Sequence, residues 1–373
     1  MGEDADSKGF DLTKGAPAGE LPEGGMIAGH VGEDSVLVAR LDGALHAIGA
    51  ECTHYHGPLA KGLIKDGTVR CPWHHACFSL TTGEAVGAPA FDPVACYEVE
   101  EVDGRIIVGA KLEAAPSPKA KSPGPRRVVI VGGGAGGFAV AEMLRRRGYA
   151  GEIVMLSADV DAPYDRPNCS KDFLAGKAPA EWMPLRPEGY YHDHGIELRL
   201  GAEVERLDPA ARTVTIKGGE AVAYEVLVLA TGAEPQRPSI PGLEGENVFL
   251  LRTLRDAEAL STAARHARVA VVIGASFIGL EAAAALRSRG LQVHVVAPEA
   301  VPFEKALGAD IGRWAQDVHE RRGVQFHLKR QLQSFANGVV RLDDGQAVKA
   351  DLVVVGTGVK PRVDFAENAG LRI

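Results

Sequence analysis

Cys52, His54, Cys71 and His74 are the residues of this chain whose types and spacing suit metal chemistry. They fall in two short segments, CTHYHGPL from Cys52 and CPWHHACF from Cys71, and each segment offers one thiol and one imidazole. Two thiolates with two imidazoles suit tetrahedral zinc, or a [2Fe–2S] cluster that has two histidines on one iron. Common zinc sites take two cysteines from one segment and two histidines from the other. One of each per segment favours the cluster, with a zinc-bearing module as the alternative. Cys77 and Cys96 read as packed thiols, and His56 and His75 as histidines that could be mistaken for ligands.

A second chemistry lies further on. Gly132-x-Gly134-x-x-Gly137 follows the apolar run RVVIV, and Gly274-x-Ser276-x-x-Gly279 follows ARVAVVI. Glycines at that spacing allow a tight turn and a close approach of backbone to a pyrophosphate at a helix N-terminus. The strand-like run before each turn and the helical pattern after it strengthen both assignments. Ser276 replaces the middle glycine of the second turn. Ser157 occupies the usual strand-end position of EIVMLSAD, and Asp159, just past it, is the acid expected at an adenosine ribose. Glu299, near the end of LQVHVVAPE, is its counterpart in the second unit. An acid there favours a free 2′-hydroxyl, and no arginine cluster follows it, so NADH is expected over NADPH.

The elements that must position these groups are legible in outline. Residues from about 10 to 110 alternate short β-like runs with Asp-Gly and Gly turns, which predicts a small antiparallel domain. LEAAPSPKAKSPGPRR cannot build a core and reads as a tether. Strand, Gly turn and helix then occur twice, from Arg127 and from Arg268, the pattern of parallel sheets flanked by helices. The chain has 373 residues, 46% hydrophobic and 24% charged, enough for two or three domains. A net charge of −8 argues against general nucleic-acid binding. No apolar run reaches the length of a membrane span. The N-terminus lacks an apolar signal core, so a cytoplasmic protein is expected. Five cysteines without a dense framework read as reduced thiols.

The two metal segments resemble the ligand loops of the Rieske fold, in which both cysteines bind one iron and both histidines the other. That resemblance places Gly57 and Trp73 where high-potential members carry an extra disulfide, so a low-potential, ferredoxin-type cluster is implied. His75 stands where that family usually has glycine. From Arg127 to the end, the motifs PYDRPNCSK and VLVLATGAEPQRPSIPG resemble two-dinucleotide flavin reductases of the ferredoxin, rubredoxin and apoptosis-inducing-factor branch. The resemblance implies flavin contacts for Arg166 and Lys171, with Lys171 beside the reactive edge. It implies a domain crossing at Ala230, Thr231 and Gly232, a flavin-phosphate contact for Arg252, and Glu281 as the partner of Lys171 near the nicotinamide. VVVGTGVKP resembles the return to the flavin domain.

The combination resembles the apoptosis-inducing-factor-like subgroup with an N-terminal Rieske domain. The expected fold class is multidomain: a small all-β Rieske domain, then two α/β Rossmann-like dinucleotide-binding domains. The expected boundaries are 8–110 for the Rieske domain, 111–125 for a linker, 126–240 for the first FAD-binding segment, 241–356 for the NAD(H)-binding domain and 357–373 for the return. Two departures accompany it. Cys169 replaces the family's usual leucine, and no Cys-x-x-Cys pair accompanies the flavin motifs. The family's Gly-Asp strand and interface domain do not follow AENAGLRI, so the expectation is a fragment that holds FAD weakly. The implied activity is an NADH-dependent reductase that passes electrons through FAD to the [2Fe–2S] cluster and on to an unidentified protein or small-molecule acceptor, with a homodimer left open. A redox-signalling role is the alternative. A terminal oxygenase would need a mononuclear iron, and YYHDHG, with His192 and His194, lacks the helical spacing for one.

Overall fold

The computed structural model describes residues 9–113 and 124–373. The expected tether at 111–125 therefore lies, from 114 to 123, outside the described residues, as does the first residue of the expected 8–110 domain. Two compact units result, one before and one after that stretch.

The first unit is all β, with one seven-stranded and one four-stranded sheet. Strands Asp34–Leu41 and Ala44–Gly49 pair antiparallel around Asp42-Gly43. Asp42 and Gly43 have φ of 52° and 75°, as a two-residue hairpin turn requires, and Asp66-Gly67 and Asp103-Gly104 repeat the device. Along Asp34–Leu41 the side-chain period of two sends Val36 and Val38 into one cluster with Tyr97, Ile106 and Val108. Leu37 and Ala39 go into another with Leu59, Val69 and Phe78. This strand is thus buried on both faces. The second cluster seats the small sheet Leu63–Lys65, Thr68–Arg70, Cys77–Ser79 and Ala85–Gly87.

The second unit contains two parallel sheets. In the first, Ile196–Arg199, Glu152–Leu156, Arg127–Val131 and Val226–Leu229 lie side by side. In the second the order is Val248–Leu250, Leu352–Val355, Val269–Ile273, Gln292–Ala297 and Val324–Leu328. The helices Ala135–Arg146 and Phe277–Ser288 follow the corresponding strands of each. Val128–Val131 and Ala270–Ile273 are all buried, which is why those runs lack alternation.

The repeat extends beyond the Gly turns. Each half carries a three-stranded antiparallel sheet, 204–223 in one and 332–349 in the other. Each also opens its first strand with a carboxylate. Glu225 accepts from the Arg126 N–H at 2.8 Å. Asp351 accepts from the N–H groups of Arg268 and Val269 at 2.7 and 2.9 Å. Between the halves, Ala233–Pro235 and Val359–Pro361 pair antiparallel, so the outgoing and returning crossings run together. Among the described residues no helix is long and apolar enough to cross a membrane.

Candidate functional site

Cys52 and Cys71 open two loops of one design. The Cys52 N–H donates to Gly57 O at 2.9 Å, and the His56 N–H to Cys52 O at 2.8 Å. In the second loop the Cys71 N–H donates to Ala76 O at 2.8 Å, and the His75 N–H to Cys71 O at 3.1 Å. The fifth residue of each, His56 and His75, has φ of 57° and 62°. That is the left-handed region, which glycine occupies without cost, so the backbone accounts for the family's preference at 75. His56 turns outward to Glu51 at 3.5 Å.

Both thiols point inward, with Cys52 and Cys71 at 1% and 2% exposure, while His74 is exposed and His54 half-buried. The His54 and His74 rings meet edge to face with centroids 5.0 Å apart. A Cβ on Gly57 would lie 2.8 Å from Cys71 Sγ and 3.2 Å from the Trp73 ring. Burial, with Cys71 beside it, pushes the Cys52 thiol up to about 11. A metal ion reverses that penalty by taking the thiolate directly. Two thiols and two imidazoles presented pairwise fit two irons. His192 and His194 are engaged separately, with Asp193 Oδ1 at 3.2 Å and with Tyr190 O at 2.8 Å.

The first dinucleotide turn is built as its glycines require. Gly132 has φ 124°, and a Cβ there would meet Ala230 O at 2.0 Å. A Cβ on Gly137 would meet Gly132 O at 1.9 Å. Gly134 caps the helix Ala135–Arg146 and has open space around it. Beside the turn lies a cavity of about 310 Å³, whose walls include Ala158, Glu203, Glu205, Thr231 and Arg362. Asp159 is not among them. Its carboxylate accepts from the Tyr164 hydroxyl at 2.7 Å and lies 3.8 Å from Arg166.

Three guanidinium groups gather near the turn. Arg166 donates to Arg252 O at 2.7 Å, Arg252 donates to Ala233 O at 3.1 Å, and the Arg362 N–H donates to Gly232 O at 3.0 Å. Thr231 Oγ1 donates to Arg362 O at 2.7 Å. Burial, then the like charges of Arg166 and Arg362, push Arg252 below the usual guanidinium range. Cations held this close suit a bound anion. Cys169, buried nearby, is a packed thiol that burial pushes up to about 12.

In the second turn Gly274 has φ 100°, and a Cβ there would meet Gly356 O at 2.4 Å. A Cβ on Gly279 would meet Gly274 O at 2.1 Å. Ser276 explains its own departure from glycine. Its hydroxyl accepts from the Gly279 N–H at 3.5 Å, capping helix Phe277–Ser288, and donates to Gly356 O at 2.8 Å. The adjoining cavity, about 270 Å³, is lined by Gly274, Ser276, Glu299 and Lys305 among others.

Lys171 and Glu281 are 110 residues apart, yet Lys171 Nζ lies 3.3 Å from Glu281 Oε1. Ser170 Oγ donates to Glu281 Oε2 at 2.6 Å. The sequence reading missed Ser170, Tyr164, Arg362 and Lys305. Ser170 and Tyr164 sit inside a motif already quoted, which is the signal that could have found them. Arg362 and Lys305 carry no local signal.

A family model described as pyridine nucleotide-disulphide oxidoreductase matches residues 126–373, and one described as the Rieske [2Fe-2S] domain matches residues 12–98. Apoptosis-inducing factor 3 of Homo sapiens is 34% identical over 369 residues, covering 94% of this chain and 60% of that protein. The ferredoxin–NAD(+) reductase component of the anthranilate 1,2-dioxygenase system of Burkholderia cepacia is 39% identical over 250 residues, 66% of this chain and 61% of its own length. The ferredoxin reductase for the CYP199A2 system of Rhodopseudomonas palustris superposes with a TM-score of 0.64 at 35% identity, covering 66% of this chain and 62% of that one. The chain thus spans about three fifths of the length of the curated relatives it matches.

Proposed function

The chain belongs to the pyridine nucleotide-disulphide oxidoreductase family, and on that premise we propose that it draws electrons from NADH through FAD into a Rieske cluster and on to a further acceptor. One observation carries the reading. Two loops of one design bury Cys52 and Cys71 and leave His54 half-buried and His74 exposed, in a chain that also holds two dinucleotide turns. The cysteines are the ligands of one iron and the histidines those of the other. Bound FAD supplies the conversion between a two-electron hydride and the single electrons that a cluster takes up.

The protein's own residues place and tune these groups. Gly132, Gly134 and Gly137 admit the FAD pyrophosphate, and Arg166 and Arg252 offset its charge. Gly274, Ser276 and Gly279 do the same for NADH, and Glu299 accepts from its ribose hydroxyls. Glu281 and Ser170 hold the Lys171 ammonium in place at the edge of the flavin site. Relatives named for ferredoxin support an acceptor that is itself an electron-transfer protein. A reducing, cytoplasmic setting fits cysteines that form no disulfide among the described residues.

Anaerobic absorption and electron paramagnetic resonance spectra test this. Two irons per chain and a Rieske-type signal on reduction are expected, with the signal growing on NADH addition to the FAD-loaded protein. A colourless protein with one zinc per chain refutes the reading.

A further inference from the structure

The preference for NADH is expected from an acid at Glu299 with no arginine cluster after it, but folding brings a cation to that acid. Lys305 Nζ lies 3.3 Å from Glu299 Oε1, and both residues line the cavity beside the second turn. The parallel pairing of Ala297 with Leu328 places Lys329 alongside, and its N–H donates to Glu299 O at 3.0 Å. Glu299 is 24% exposed and Lys305 87% exposed, so the carboxylate is fixed while the lysine swings on a solvated stem. Glu304, the other acid on the cavity wall, is engaged elsewhere and accepts from the Ala300 N–H at 2.9 Å.

We propose that Lys305 is a coenzyme-specificity residue, a latent anchor for a ribose 2′-phosphate that Glu299 masks. This deepens the assignment of the second turn to NAD(H) and rests on it. While Glu299 is ionised, an incoming phosphate meets a like charge and a lysine whose own charge is already matched. With Glu299 neutral, the same wall presents an unmatched ammonium within one side chain's reach of the turn. Coenzyme choice then hangs on one carboxylate rather than on a shortage of cations.

Isothermal titration with 5′-AMP and 2′,5′-ADP as probes separates the possibilities. The wild-type protein is expected to bind 5′-AMP more tightly than 2′,5′-ADP. Glu299→Gln should tighten 2′,5′-ADP by about tenfold or more, as one exchanged charge contact is worth. Adding Lys305→Met should remove most of that gain. If the double variant keeps the full gain, relief of repulsion explains everything and the anchor is refuted. A Glu299→Gln protein that binds 5′-AMP but gains nothing for 2′,5′-ADP refutes it equally. A wild-type protein that binds neither probe overturns the dinucleotide assignment itself, and the anchor falls with it.

Discussion

Gly57→Ala is the smallest change that should unseat the cluster. Gly57 lies outside the positive-φ region, so alanine brings no backbone strain and only its methyl matters. That methyl would sit 2.8 Å from Cys71 Sγ and 3.2 Å from two Trp73 ring carbons, where relaxed contacts between heavy atoms lie near ~3.5–4.0 Å. Trp73 is exposed and can swing aside. Cys71 Sγ cannot, because it is buried and is a proposed ligand. Overpacking of this kind costs about 1–3 kcal/mol, or roughly 5- to 150-fold in cluster retention. The assay is iron per chain and the intensity of the reduced resonance signal, during challenge with a chelator. Gly19→Ala is the control, since a Cβ there meets nothing within 4 Å. It should retain iron like the wild type. Full iron and an unchanged signal in Gly57→Ala would refute the placement of Cys71 Sγ as a ligand packed against that glycine.

Three further outcomes are expected. His75→Gly relieves a left-handed residue worth about 1–2 kcal/mol against a glycine entropy cost of about 0.5–1 kcal/mol. The iron-loaded protein should therefore melt slightly higher with an unaltered resonance signal, and loss of iron would make His75 a ligand. Lys171→Met and Glu281→Gln should each slow NADH-driven reduction of the FAD-loaded protein by roughly tenfold, as read by stopped-flow absorbance. The double variant should be little worse than either, because the two act as a pair. Asp351 is held below the usual carboxylate range by the N–H groups of Arg268 and Val269. Its stabilisation is therefore complete above the unfolded value of about 4 and is lost as pH falls through the lower folded one. Urea unfolding followed by tryptophan fluorescence should show Asp351→Asn less stable than wild type at neutral pH, with the gap closing in acid. A gap that persists at pH 2 would contradict the clamp.

What could be read from residues alone was local. The alternation of Cys and His in two segments identifies a donor set, because ligand type follows from side-chain chemistry. The glycines at 132, 137, 274 and 279 identify turns, because a Cβ at each would strike a carbonyl within a few residues or on the adjoining strand. The repeat of strand, turn and helix was legible for the same reason, and so was the all-β character of the first unit, with its Asp-Gly hairpins. Tertiary structure decided whatever depends on which way a side chain points or what a distant strand delivers. Sequence spacing put Asp159 at a ribose, and folding sets its carboxylate on the Tyr164 hydroxyl and beside Arg166, contacts that spacing did not suggest. Ser276 looked like a weakened motif until its hydroxyl was seen to cap the helix and reach Gly356. Arg166, Arg252 and Arg362 carry no common motif, yet the crossing strands bring them together. No arginine cluster follows Glu299 in sequence, and only the fold sets the Lys305 ammonium 3.3 Å from its carboxylate. Charge and donor type are properties of residues, whereas orientation and long-range neighbours come into being only when the chain folds.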